Sequence, residues 1–151
     1  MPPAETKSDR LDRELGELLQ ELRVLLPGVQ VLFAFLLAVP FTDRFEAATD
    51  SEKGLFLTAL ICAALASVFL VAPSAFHRIL FRERDKEWMI VTSNRLAITG
   101  TVFLATAMTC ALFLVAEVIY GSKLAAGVAA GLGVAFLLVW YVIPLVRRTR
   151  N

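Results

Sequence analysis

The sequence predicts an all-α, polytopic membrane protein: four transmembrane helices preceded by a cytoplasmic amphipathic helix. Three observations predict it. Long apolar runs at residues 22–41, 54–76, 96–120 and 125–146 fill most of a 151-residue chain that is 58% hydrophobic. Each is about the ~20 helical residues that a bilayer core demands. The basic residues gather at one set of run ends, and leucines ahead of the first run recur at helical spacing. Residues 1–21 are read as a cytoplasmic arm, 22–146 as the transmembrane domain and 147–151 as a basic cytoplasmic tail.

The arm comes first. Residues 1–7 carry no apolar pattern and are expected to be disordered. From Ser8, a candidate N-cap, Leu11, Leu15, Leu18, Leu22 and Leu25 recur at spacings of four and three, one face of an amphipathic helix. The opposite face carries more acid than base, which disfavours simple binding to anionic lipid. The helix is expected to pack on the chain's own second loop, which holds five basic residues against three acids, or on a second subunit. Pro27-Gly28 follows, and proline removes a helix hydrogen bond and crowds the preceding turn. A turn or kink between the arm and the first span is expected there.

Orientation follows from charge. Of the fifteen Lys and Arg residues, all but Arg44, Lys53 and Lys123 lie in the N-terminal segment, the second loop or the tail. Loops rich in Lys and Arg stay on the cytoplasmic side. Both termini are therefore expected inside, in a multi-pass protein of the cell (inner) membrane. No cleavable signal peptide is expected, because the first apolar run is longer than a typical signal core.

The remaining spans carry their own marks. Pro40 lies near the outer end of span one, Pro73 is expected to kink span two, and Pro144 sits at the inner end of span four. Ala59, Ala63 and Ser67 form a small-residue ridge on span two. Span three is expected to begin at 96, or at 88–91 with Arg95 then snorkelling to the inner face. In span four, Gly127 and Gly131 form a GxxxG pair, which lets helix backbones approach closely in lipid. Packing within the chain is the expected use, with a homo-oligomer as the other. Trp88, Tyr120, Trp140 and Tyr141 fall near the interfaces, as an aromatic belt would.

Ionisable groups in a bilayer are costly and point to function by default. Glu117 is the only acid inside the four runs. It is a candidate ion or proton site; its shallow depth favours an interfacial carboxylate paired with Arg44, Lys53 or Lys123. His77 could sense pH or relay protons, and the same position suits a helix-end histidine beside the anchor Arg78. Gln30 is the strongly polar side chain of span one, and Thr58, Thr99, Thr106 and Thr109 could line a hydrated path. Such groups more often bond across helices or to their own backbone. Glu21 and Arg23 are candidates for an intersubunit or interhelical ion pair. Cys62 and Cys110 lie inside spans and are read as small packing residues, since no CxxC is present.

Exclusions narrow the function. There is no HExxH, GxSxG, CxxC or phosphate-binding loop, and one histidine cannot supply bis-histidine haem ligation. No catalytic residue, metal site or cofactor is expected. The basic second loop is too short and too mixed in charge for nucleic acid. The expected partners are the lipid bilayer, a second copy and a cytoplasmic or membrane protein. The candidate interaction surface is Leu11, Leu15, Leu18, Glu21, Arg23, Arg78 and Arg82.

The stretch 17–36, ELLQELRVLLPGVQVLFAFL, followed by Val39-Pro40-Phe41, resembles an uncharacterised family of small four-span bacterial inner-membrane proteins. Ala72-Pro-Ser-Ala-Phe-His-Arg78, with Phe81-Arg82 downstream, resembles a second signature of that family. The likeness covers most of the chain except the arm and tail. Members often carry the automatic label sodium:proton antiporter, and the family supplies no catalytic residues to carry over. The label implies a proton-coupled cation exchanger working as an oligomer. Antiporters place substrate sites near the midplane, and four-span multidrug exporters use an acid in span one, where this chain has Gln30. An exchanger would have to use Glu117, or His77 with Glu21. The expected function is instead a non-enzymatic structural, interaction or regulatory protein of the membrane.

Overall fold

The computed structural model describes residues 6–80 and 86–149. It is all-α, with no strand among the described residues. The helices are α1 (Lys7–Ala38), α2 (Asp43–Glu46), α3 (Asp50–Ile79), α4 (Lys86–Tyr120), α5 (Ser122–Phe136) and α6 (Ile143–Thr149). A 3-10 turn, Val39–Phe41, follows α1, and a π-helical segment, Leu137–Val142, joins α5 to α6. Four stretches are long and apolar enough to cross a bilayer: Asp9–Phe41, Asp50–Ile79, Lys86–Tyr120 and Ser122–Thr149.

Helix α1 begins two residues earlier than expected. Its cap is Thr6, not Ser8, which lies inside the helix. The Thr6 hydroxyl accepts from the Asp9 amide at 3.3 Å, and the Asp9 carboxylate accepts from the Thr6 amide at 3.2 Å. Thr49 and Glu52 repeat this reciprocal box at the start of α3, at 3.3 and 2.7 Å. Hydrogen exchange in residues 50–53, measured at one pH, should therefore be faster in Glu52→Ala than in the parent.

Pro27 does not end α1, which runs unbroken from the arm into the first span. The reason is a single inward stripe. Leu11, Leu15, Leu18, Leu22, Leu26, Val29, Phe33 and Leu36 are buried or half-buried at spacings of three or four, and the stripe continues past Pro27. Pro27 itself lies on the exposed side, where its missing amide costs one helix bond and no packing. Helix α4 likewise starts at Lys86 and runs unbroken, the longer of the two expected starts. Pro144 leaves its mark as the π segment just before it, where a wider turn relieves the clash of its ring with the carbonyl of Trp140.

The chain divides into two compact units. The first comprises the described residues of Met1–Ala34 and Ala63–Phe103. Its core holds Leu15, Leu22 and Val29 of α1, Ala63, Ala66, Leu70 and Pro73 of α3, and Met89 and Ser93 of α4. Gly100 of α4 sits against α3: a Cβ there would lie 2.7 Å from Leu70 Cγ and 3.3 Å from Phe69 Cβ. Phe69 also stacks on Phe103 at 5.5 Å. The second unit comprises the described residues of Phe35–Cys62 and Leu104–Asn151. Its core holds Phe56 and Ala59 of α3, Leu104, Ala107 and Ala116 of α4, and Ala125 and Ala129 of α5.

A single residue, Gly121, joins α4 to α5, with φ 85° and ψ 165°. That region is open to glycine alone and costs other residues ~1–3 kcal/mol. Gly121→Ala should lower the unfolding free energy in micelles by about that amount, while Ser122→Ala beside it should leave it unchanged.

Candidate functional site

The first unit gathers most of the polar chemistry at the start of α1, the end of α3 and the start of α4. Lys86 Nζ lies 2.7 Å from Asp12 Oδ1 and 2.8 Å from Oδ2, so α4 grips the arm through a two-oxygen contact. Lys7 pairs with Glu87. The arm thus packs on the chain's own α4, the first of the two expected arrangements. These pairs are a third exposed or more, and such bridges contribute ~0–1 kcal/mol each. They set register, and the buried leucines hold the arm.

That packing changes which arm residues face outward. Leu15 is 4% exposed, and Leu11 and Leu18 are half-buried, so all three are turned into the unit. Glu21, Arg23 and Arg78 are exposed. Arg82 lies outside the described residues. Glu21 and Arg23 do not pair with each other, because residues two apart point to different sides of a helix. His77 is half-buried, with its Nδ1 turned inward. Ser93 is fully buried, and its hydroxyl has no hydrogen-bond partner.

Three of the four threonines bond to their own backbones, the preferred of the two readings. Thr58, Thr99 and Thr109 donate to the carbonyls of Gly54, Arg95 and Ala105 at 2.9, 2.9 and 2.8 Å. Ser67 does the same to Ala63 at 3.0 Å. Thr106 is exposed. Gln30 is exposed on α1 and makes no side-chain hydrogen bond among the described residues.

In the second unit, Glu117 is half-buried one turn before Gly121. It pairs with none of Arg44, Lys53 or Lys123 within 4.0 Å, contrary to expectation. Lys123 follows the one-residue turn and starts α5 on its exposed side, away from such a contact. A half-open cavity of about 490 Å³ has apolar walls from Val39, Phe45, Phe56, Leu114 and Val118, with Asp43, Arg44 and Glu52 as its charged lining. Phe45 meets Phe56 edge-on at 4.9 Å. Glu52 is already engaged by Thr49, and Glu117 is not in the lining.

Gly127 and Gly131 are exposed, and a Cβ on either would meet nothing within 4 Å. Among the described residues nothing packs against them, which differs from the expected use. Ala125 and Ala129, two positions back on α5, form the packing face instead. Close approach is made by Gly100, which the sequence reading passed over. Its signal was present: Ser93, Gly100 and Ala107 are small, buried and seven apart on α4. Cys62 and Cys110 are free and half-buried. Among the described residues no group of three or more His, Cys, Asp or Glu is placed to hold a metal ion.

These observations define a small all-α protein with four membrane-spanning stretches. The model of DUF6328, a family of unknown function, matches residues 4–144, and the chain belongs to that family. No curated protein and no solved structure matches the chain.

Proposed function

We propose that this protein is a non-enzymatic membrane protein that docks a cytoplasmic protein partner at its charged end, with both termini on the cytoplasmic side of the inner membrane. One observation carries the reading. The apolar face of the arm is satisfied within the chain, while Arg13, Glu17, Glu21, Arg23 and Arg78 remain exposed beside it. A rigid helix bearing charges of both signs is a docking surface that lipid does not explain, because anionic lipid calls for a basic face. The bias of Lys and Arg toward this end supports its cytoplasmic placement.

No observation favours the proton-coupled cation antiporter. Glu117, the only acid inside the four apolar runs, stands outside the lining of the cavity in its unit.

The test is a photo-cross-linking residue at Glu17 or Arg23 in cells, with Val134 on α5 as the control position. The reading expects an adduct with one defined partner at the first two positions, lost on reversing Glu21 and Arg78. Adducts equally frequent at Val134 would contradict it. So would cation-dependent proton flux in tight liposomes that disappears in Glu117→Gln.

A further inference from the structure

Gln30 is an exposed side-chain amide on α1, with no side-chain hydrogen bond among the described residues. It lies eight residues beyond Leu22, the start of the apolar run. At ~1.5 Å per residue this puts it ~12 Å into a hydrocarbon core ~30 Å thick. An amide offers two donors and an acceptor with two lone pairs. Lipid tails satisfy none of them, and leaving polar groups unpaired in an apolar medium is costly.

We propose that Gln30 is the centre of a homodimer interface, where it pairs with Gln30 of a second copy. The surrounding surface suits such a contact. Pro27, Gln30 and Ala34 are all exposed and follow one another at spacings of three and four, the seam along which two helices cross. Ala34 lies one turn beyond Gln30 and is small enough for close approach.

The choice of a second copy follows from orientation and symmetry. The inference rests on the orientation proposed above. With basic residues so strongly biased to one end, all copies insert the same way round. A two-fold axis relating them then runs along the membrane normal, and their α1 helices cross in parallel. At such a crossing each residue meets its own counterpart. A primary amide is complementary to itself, so two Gln30 side chains can exchange donor and acceptor; two carboxylates or two ammonium groups at that depth could not. The Gly127 and Gly131 face of α5 has open space but no polar group that asks for a partner.

The test measures self-association of the full chain in liposomes by energy transfer between labelled copies. Gln30→Leu should raise the dimer dissociation constant roughly three- to tenfold, the factor a transmembrane side-chain hydrogen bond supplies. Gln30→Asn, which keeps the amide, should retain most of the association. Oxidative cross-linking, with Cys62 and Cys110 first replaced by alanine, should join copies at Gln30→Cys and Ala34→Cys but not at Val31→Cys. Unchanged association of Gln30→Leu, or cross-links confined to Gly127→Cys and Gly131→Cys, would overturn the proposal. Cross-links between Arg23→Cys in one copy and Leu37→Cys in another would mean oppositely inserted copies, overturning the parallel pairing and the orientation beneath it.

Discussion

Gly100→Leu should unfold the protein at markedly lower temperature or detergent strength than any substitution on its outer surface. The site has no room. A Cβ alone would lie 2.7 Å from Leu70 Cγ and 2.9 Å from Leu70 Cδ2. Cγ is the branch point of Leu70, so it cannot swing clear as a chain tip would, and Leu70 is itself fully buried. Overpacking of this kind costs ~1–3 kcal/mol for small additions and more for larger ones. In a bilayer the effect is nearly all packing, because lipid is as apolar as the protein interior and apolar transfer contributes little. Gly100→Ala should fall between the parent and Gly100→Leu. Leu70→Ala should weaken the protein by leaving a cavity. The double variant Gly100→Ala with Leu70→Ala should be more stable than the two separate losses added together, because the new methyl enters the vacated space. Unfolding in a denaturing-detergent titration checks this, and strict additivity would contradict the contact.

Leu15→Asp should release the arm and leave the spans in place. Leu15 is 4% exposed in the first unit. A carboxylate there would be buried without a partner, at a cost of several kcal/mol. The α1 end can escape that cost by lifting away from α4, to which the Lys86–Asp12 and Lys7–Glu87 pairs tie it. Those pairs are too exposed to resist. Hydrogen exchange and limited proteolysis should show lost protection over residues 7–20, with protection of residues 60–75 unchanged. Glu17→Asp on the exposed side should change neither. Protection of 7–20 that survives Leu15→Asp would mean the arm is held by something other than its own chain.

Much of this fold could be read from residues alone, because a membrane writes its demands in long apolar runs. The four spans were legible for that reason. The continuity of α1 was harder to see. Pro27-Gly28 looks like a break by the logic of helices in water, yet the stripe from Leu11 to Leu36 continues across it. That stripe was present in the sequence and outweighed the proline.

Small residues misled in the opposite direction. Gly127 and Gly131 have the familiar spacing of four but face outward. Ser93, Gly100 and Ala107, seven apart, are buried. Spacing shows which residues share a face, and only the partner helix decides which face turns inward. Side-chain pairing was the least legible level. Glu117 has three bases within plausible reach in sequence and meets none, whereas Asp12 meets Lys86 across seventy-four positions. Such pairs depend on helix rotation, which the periodic pattern fixes only coarsely.

The central claim is that the charged end, with both termini, faces the cytoplasm while the arm lies along α4. Its most direct test is the reaction of single cysteines with a membrane-impermeant maleimide in intact cells, after Cys62 and Cys110 are replaced by alanine. Glu46→Cys, between α1 and α3, should label from outside. Glu17→Cys and Arg148→Cys should label only after the cells are permeabilised. External labelling of Glu17→Cys or Arg148→Cys, with Glu46→Cys protected until permeabilisation, would contradict the account.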